Sequence, residues 1–143
     1  TLRLDDVSRV LGPGQLWMIS AEGEPALVSR YQLDTDGQTW RAQATVELVD
    51  AQMQSLIVAQ NWQADMHDQP LSSEVAQALG DYPIVRMSMQ PQTPIAVAQV
   101  ISSLGNPDMR LDIAGGETWI YQRSGAAVSV SNEEAHSIMF GLR

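Results

Sequence analysis

Thr93-Pro94-Ile95-Ala96-Val97-Ala98-Gln99-Val100-Ile101-Ser102-Ser103-Leu104-Gly105 carries the strongest helix signal in the chain. Thr93 is a good N-cap, Pro94 suits a first helical position, Val97, Val100, Ile101 and Leu104 fall at i, i+3, i+4, i+7, and Gly105 is a stop. The spacing predicts an amphipathic helix. The same pattern recurs upstream: Val7-Ser8-Arg9-Val10-Leu11-Gly12 lies over Val100-Ile101-Ser102-Ser103-Leu104-Gly105 at an offset of 93 residues. That offset also lays Ala21-Glu22-Gly23-Glu24 over Ala114-Gly115-Gly116-Glu117. A second offset, 82, lays Val46-Glu47-Leu48 through Ser55–Val58 over Val128-Ser129-Val130 through Ser137–Phe140. The chain therefore reads as an internal duplication, with the extra residues of the first half placed in the hairpin around Asp34–Gly37.

Outward from those helices, strand-like runs bounded by turn residues fall at Gln15–Ala21, Ala26–Asp34, Thr39–Val49 and Met53–Gln60 in the first half. In the second they fall at Met109–Ala114, Thr118–Arg123, Ala127–Ser131 and His136–Leu142. Asp5 and Asp6 sit where acids favour a helix start, ahead of Leu4, Val7 and Leu11 spacing that ends at Gly12. A further helix is expected over Ser72–Leu79, capped by Ser72 and stopped before Gly80. The expected fold is α+β: two tandem repeats of a helix plus a four-stranded antiparallel sheet, a pattern that also allows one continuous curved sheet. The expected domains are a first repeat over 1–60, a linker over 61–70 and a second repeat over 71–143.

Composition narrows the function classes. The 143 residues carry 17 acids against eight basic residues, all of them Arg, for a net charge of -9. A nucleic-acid backbone or an anionic membrane surface would be repelled. No apolar run approaches the roughly 20 residues that span a bilayer. The absence of Cys removes disulfides, thiol nucleophiles and thiolate metal sites. The chain starts at Thr1, which leaves room for a signal segment or lipid anchor before it.

Catalytic motifs are weak. His67 and His136 fall in the linker and at a strand start, with no GxSxG elbow, so a nucleophile–base pair has little support. Asp34-Thr35-Asp36-Gly37 opens like a calcium loop, but its Gly is fourth rather than sixth and Thr45 stands where a bidentate Glu belongs, so a hairpin turn is expected. Asp65, His67 and Asp68 read as solvated linker residues rather than metal ligands. Glu133 and Glu134 read as an acidic turn, Gly115-Gly116 as a hairpin turn, and Trp40 and Trp119 as core. The chain is expected to be no enzyme and to need neither cofactor nor metal.

Strand alternation sorts the sheet faces. Leu16, Met18, Leu33, Trp40, Val46, Leu48, Leu56 and Val58, with Met109, Leu111, Ile113, Trp119, Tyr121, Val128, Val130, Ile138 and Phe140, are expected on the face under the helices. Leu11, Leu56, Leu104, Ile138 and Phe140 are expected to be buried. The opposite face is assigned Trp17, Ile19, Arg30, Gln32, Arg41, Gln43 and Ile57, with Arg110, Asp112, Ile120, Gln122 and Met139. Such a mixture of Arg, Gln, Trp and aliphatics has the composition of a protein-contact surface or of a solvated sheet face. Trp17, Arg30, Arg41, Gln43, Arg110, Asp112, Gln122 and Met139 are the candidate protein-binding residues.

The second half supplies a resemblance. Leu104-Gly105-Asn106-Pro107, then a strand, Gly115-Gly116-Glu117 and Trp119-Ile120-Tyr121 resemble the small bacterial outer-membrane assembly lipoproteins of the SmpA/OmlA type. The repeat is also similar to that of the secreted β-lactamase inhibitory proteins (BLIP-like), two helices followed by a four-stranded antiparallel sheet. It covers Leu71 to Arg143. The first half matches over Thr1 to Gln60 without the unit's first helix, with Gly12-Pro13-Gly14 at the helix end and Ala26 where Trp119 falls. The resemblance implies a periplasmic or outer-membrane-anchored exported protein that binds another protein, as an assembly factor or an enzyme inhibitor. The alternative is a small-ligand or lipid carrier with a cleft between sheet and helices.

Overall fold

The computed structural model describes residues 2–35, 37–63 and 67–141. Along the chain run α1 (Leu4–Leu11), β1 (Gln15–Ala21), β2 (Glu24–Thr35), β3 (Gln38–Val46), α2 (Asp50–Gln60), β4 (Gln69–Pro70) and α3 (Ser73–Ala78). Then come β5 (Ile84–Pro91), β6 (Ile95–Ala96), α4 (Val97–Leu104), β7 (Met109–Ile113), β8 (Gly116–Tyr121), β9 (Ala126–Ser131) and β10 (Glu134–Gly141). The fold is α+β, and every strand pairing described is antiparallel. Two compact units share the chain, 2–31 with 43–85 and 32–42 with 86–141 among the described residues.

In the first unit the strands run in the order β4-β1-β2-β3. Leu16 and Met18 on β1 lie opposite Ser29 and Leu27 on β2, and all four are buried. The first turn of α1 leaves backbone N–H groups without helical partners. Leu4 N–H donates to the Tyr82 carbonyl at 3.0 Å and Asp5 N–H to the Gly80 carbonyl at 2.8 Å, so the turn after α3 caps α1. Ser72 caps α3 as expected, accepting from Val75 N–H.

In the second unit the order is β5-β10-β9-β8-β7, with β6 on β10. Val100 of α4 packs with Trp119, Tyr121, Ala126, Val128, Val130 and Ala135 into one buried cluster, and Val97 and Ile101 lean on it. The helix period of α4 and the strand period of β8 and β9 thus meet on a single apolar face.

Three expectations are corrected. Met53–Gln60 is helix α2, not a strand, so the first half has three strands before a helix and the offset of 82 aligns a helix with β10. The run Ser55-Leu56-Ile57-Val58 imitates a short strand, yet Met53, Leu56, Ile57 and Gln60 are the half-buried positions, at i, i+3, i+4, i+7. Gln52 Oε1 accepts from Val49 N–H at one end of α2, and Asn61 closes the other in the left-handed conformation. Second, α4 starts at Val97 because Ile95 and Ala96 bridge to Ala135 and Glu134, a tertiary pairing that overrides the Thr93-Pro94 start signal. Third, Leu104 is exposed, as is Val58, and Leu11, Leu56, Ile138 and Phe140 are only half-buried. The sequence predicts no strand over Ile84–Pro91, yet this segment is β5, paired with β10. The expected linker residues Asp65 and Ala64, Asp36 of the calcium-like turn, and Leu142 lie outside the described residues.

Candidate functional site

The first unit gathers three of the candidate residues around one guanidinium. Trp17 lies opposite Val28 and Gln15 opposite Arg30, so Trp17, Val28 and Arg30 share the face turned away from Leu16 and Met18. Arg30 stacks over Trp17 at 5.3 Å from the ring centroid. Its Nε donates to Gln43 Oε1 and an η-nitrogen to Asp68 Oδ2, both at 3.0 Å. Trp17, Arg30 and Gln43 are half-buried. Asp68, which the sequence suggests is merely solvated, completes the cluster. These contacts hold the guanidinium against the tryptophan ring and order that edge of the sheet.

The second unit is sorted by its hairpins. Ile113 lies opposite Gly116 across the two-residue loop Ala114-Gly115, which puts Arg110 opposite Trp119 and Met109 opposite Ile120. Arg110 and Asp112 are therefore on the Trp119 face, and Met109, Leu111 and Ile113 are on the other, the reverse of the alternation expected from sequence. Arg110 stacks on Trp119 at 4.4 Å from the ring centroid. On the other face the registers join Met109, Ile120, Ala127 and Met139 into one row across β7, β8, β9 and β10. Met109, Leu111, Ile113 and Met139 are 44–52% exposed. Thr118, Ser129 and Ser137 flank the row on the same face. An apolar strip rimmed by small hydroxyl residues has the anatomy of a contact surface, and its two methionines can adapt to the shape they meet.

Of the remaining candidates, Arg41 is exposed on β3, and Gln122 is exposed, with its N–H donating to Asp108 Oδ2 at 2.7 Å. His136 Nε2 is hydrogen-bonded to Ser131 Oγ at 2.9 Å on the exposed β9–β10 hairpin. No carboxylate among the described residues orients the ring, and no group of three metal-ligating side chains is found among them. Among the described residues, one apolar groove of about 410 Å³ lies beside α4, bordered by Trp40, Val100, Leu104, Ile138 and Phe140, and another of about 440 Å³ is bordered by Leu48, Leu56, Val75, Leu79 and Tyr82.

No helix among the described residues is long and apolar enough to cross a membrane. No protein-family model, curated protein or solved structure matches the chain.

Proposed function

We propose that the chain is a non-catalytic module that binds another protein through the open sheet face of its second unit. The observation that supports this best is the row Met109, Ile120, Ala127 and Met139, apolar and continuous over four strands, with both end methionines exposed. Exposed apolar residues scattered singly need no partner, whereas a contiguous strip costs solvation unless something covers it. An exported envelope protein built of tandem helix-and-sheet repeats is part of the same reading. Its support is the resemblance of the second half, together with two eight-residue helices, α1 and α4, each ending at a glycine with the same extended positive-φ conformation.

The test is affinity capture from a bacterial envelope extract with wild type beside Met139→Asp and Ile120→Asp. A partner retained by wild type and lost with both variants is the expected result; equal retention by all three overturns the face as the binding site. The groove of about 410 Å³ beside α4 favours a second reading, since ligand sites commonly run from about 300 to 1,000 Å³. Native mass spectrometry that finds a co-purified small ligand, with no protein captured, replaces the first reading with that one.

A further inference from the structure

β7 is the terminal strand of its sheet: among the described residues it pairs with β8 on one side and with nothing on the other. All five of its residues are exposed. Exposed edges invite pairing with another chain, and proteins blunt them with short strands, charges, proline, bulges or a cover. Among the described residues β7 has no proline, bulge or cover, and its charges, Arg110 and Asp112, are of opposite sign. Its sequence, Met109-Arg110-Leu111-Asp112-Ile113, is instead complementary to itself when reversed.

We propose that β7 is a self-association edge that pairs antiparallel with β7 of a second copy about a two-fold axis through Leu111. In that register Leu111 faces its own equivalent, Met109 faces Ile113, and Arg110 faces Asp112, the last two pairings occurring twice by symmetry. Apolar residues meet on one face and opposite charges on the other. The register works whichever alternate residues of β7 aim their backbone groups outward, because odd positions pair with odd and even with even.

A second observation bears on the same occupant. Asp112 lies directly opposite Glu117 of β8, two acids across one sheet pair, and among the described residues no cation reaches Asp112 in an ion pair. Like charges facing each other are unfavourable, and a second copy brings an Arg to the free side of Asp112. Arg110 can serve there without leaving Trp119, since a stacked guanidinium keeps its in-plane N–H groups for a carboxylate. The net charge of -9 opposes association at long range, so the complementary edge selects one register rather than general stickiness. Five strand residues a side fall short of the roughly 1,200–2,000 Å² of a stable interface, which makes the dimer weak and concentration-dependent.

Charge exchange tests the register. Arg110→Asp puts Asp against Asp, and Asp112→Arg puts Arg against Arg, so each variant alone should self-associate about tenfold more weakly than wild type in sedimentation equilibrium. An equimolar mixture of the two should recover a heterodimer, and the double exchange Arg110→Asp with Asp112→Arg should recover a homodimer. Far-UV circular dichroism confirms folding of each variant, and Leu111→Lys, which keeps Arg110 on Trp119, should also be monomeric. A wild type that stays monomeric at every concentration overturns the proposal. Dimers that persist in both single exchanges, or a mixture that recovers nothing, overturn the register. Because the charge exchanges touch only Arg110 and Asp112, on the face opposite the Met109–Met139 row, loss of partner capture with Met139→Asp while charge exchange leaves dimerisation unmoved separates this failure from that of the face.

Discussion

Arg30 is worth more than its ion pair. The Asp68 pair is over a third exposed on both sides and by itself contributes little in water. The Trp17 stack and the Gln43 bond add directed contacts to the same head group, and Arg30→Ala removes all three. A loss of about 1–2 kcal/mol in urea unfolding is expected, with Arg30→Lys recovering less than half because an ammonium cannot stack and fork at once. Trp17, Arg30 and Gln43 were legible on one face from alternation alone; Asp68 was not, since it belongs to no helix or strand and so to no periodic pattern. Tyr121 carries a pH signature of its own. Burial pushes its phenol above the ordinary 10.0, with the nearby Arg110 charge opposing the shift, and its hydroxyl donates to the Gly105 carbonyl at 2.9 Å. A raised folded-state value means the protonated form is the one the fold favours. Its contribution is complete below pH 10.0 and is lost as pH rises through the folded value. Wild type should therefore lose stability relative to Tyr121→Phe on the alkaline side only, as read from urea midpoints across pH.

Helix ends and loop lengths decide which elements form. Gly12 (φ 89°, ψ -179°) and Gly105 (φ 81°, ψ -169°) stop α1 and α4 in a conformation essentially restricted to glycine. Their N–H groups donate back to the Ser8 and Ile101 carbonyls at 2.9 and 2.8 Å. A Cβ at either position meets nothing within 4 Å, so the cost of Gly12→Ala or Gly105→Ala is backbone strain alone, about 1–3 kcal/mol each by urea unfolding. A stability change near zero in either variant would show that the helix end relaxes. Both stops were legible because glycine after the last apolar position has a mechanism behind it. The α2 error has an equally physical source. Four apolar or small residues in a row satisfy a buried strand and a helix alike, and only the half-buried spacing of Met53, Leu56, Ile57 and Gln60 separates them. The face of β7 was decidable from sequence and was misassigned: a two-residue loop pairs odd positions with even ones, so Arg110, not Met109, must stand beside Trp119.

At the scale of the molecule, charge and the open row act against each other. Only 17% of the residues are charged, yet the imbalance of acids over Arg leaves a net -9 and an isoelectric point near pH 4.4. Mutual repulsion at neutral pH keeps exposed apolar strips on separate molecules apart, and it vanishes where the net charge does. The acidic balance is readable from composition, and alternation puts Ile120 and Met139 on the open face, but the strip closes only once register brings Met109 of β7 onto that face as well. A solubility minimum close to pH 4.4 is therefore expected, with turbidity that grows as salt screens the remaining charge. Met139→Ser and Ile120→Thr change no charge and leave the isoelectric point where it is. If the row drives the association, these two substitutions together should narrow and shallow the solubility minimum without moving it. A minimum of unchanged depth in the double variant would assign the association to other surfaces, because the charge state is then identical and only the strip differs.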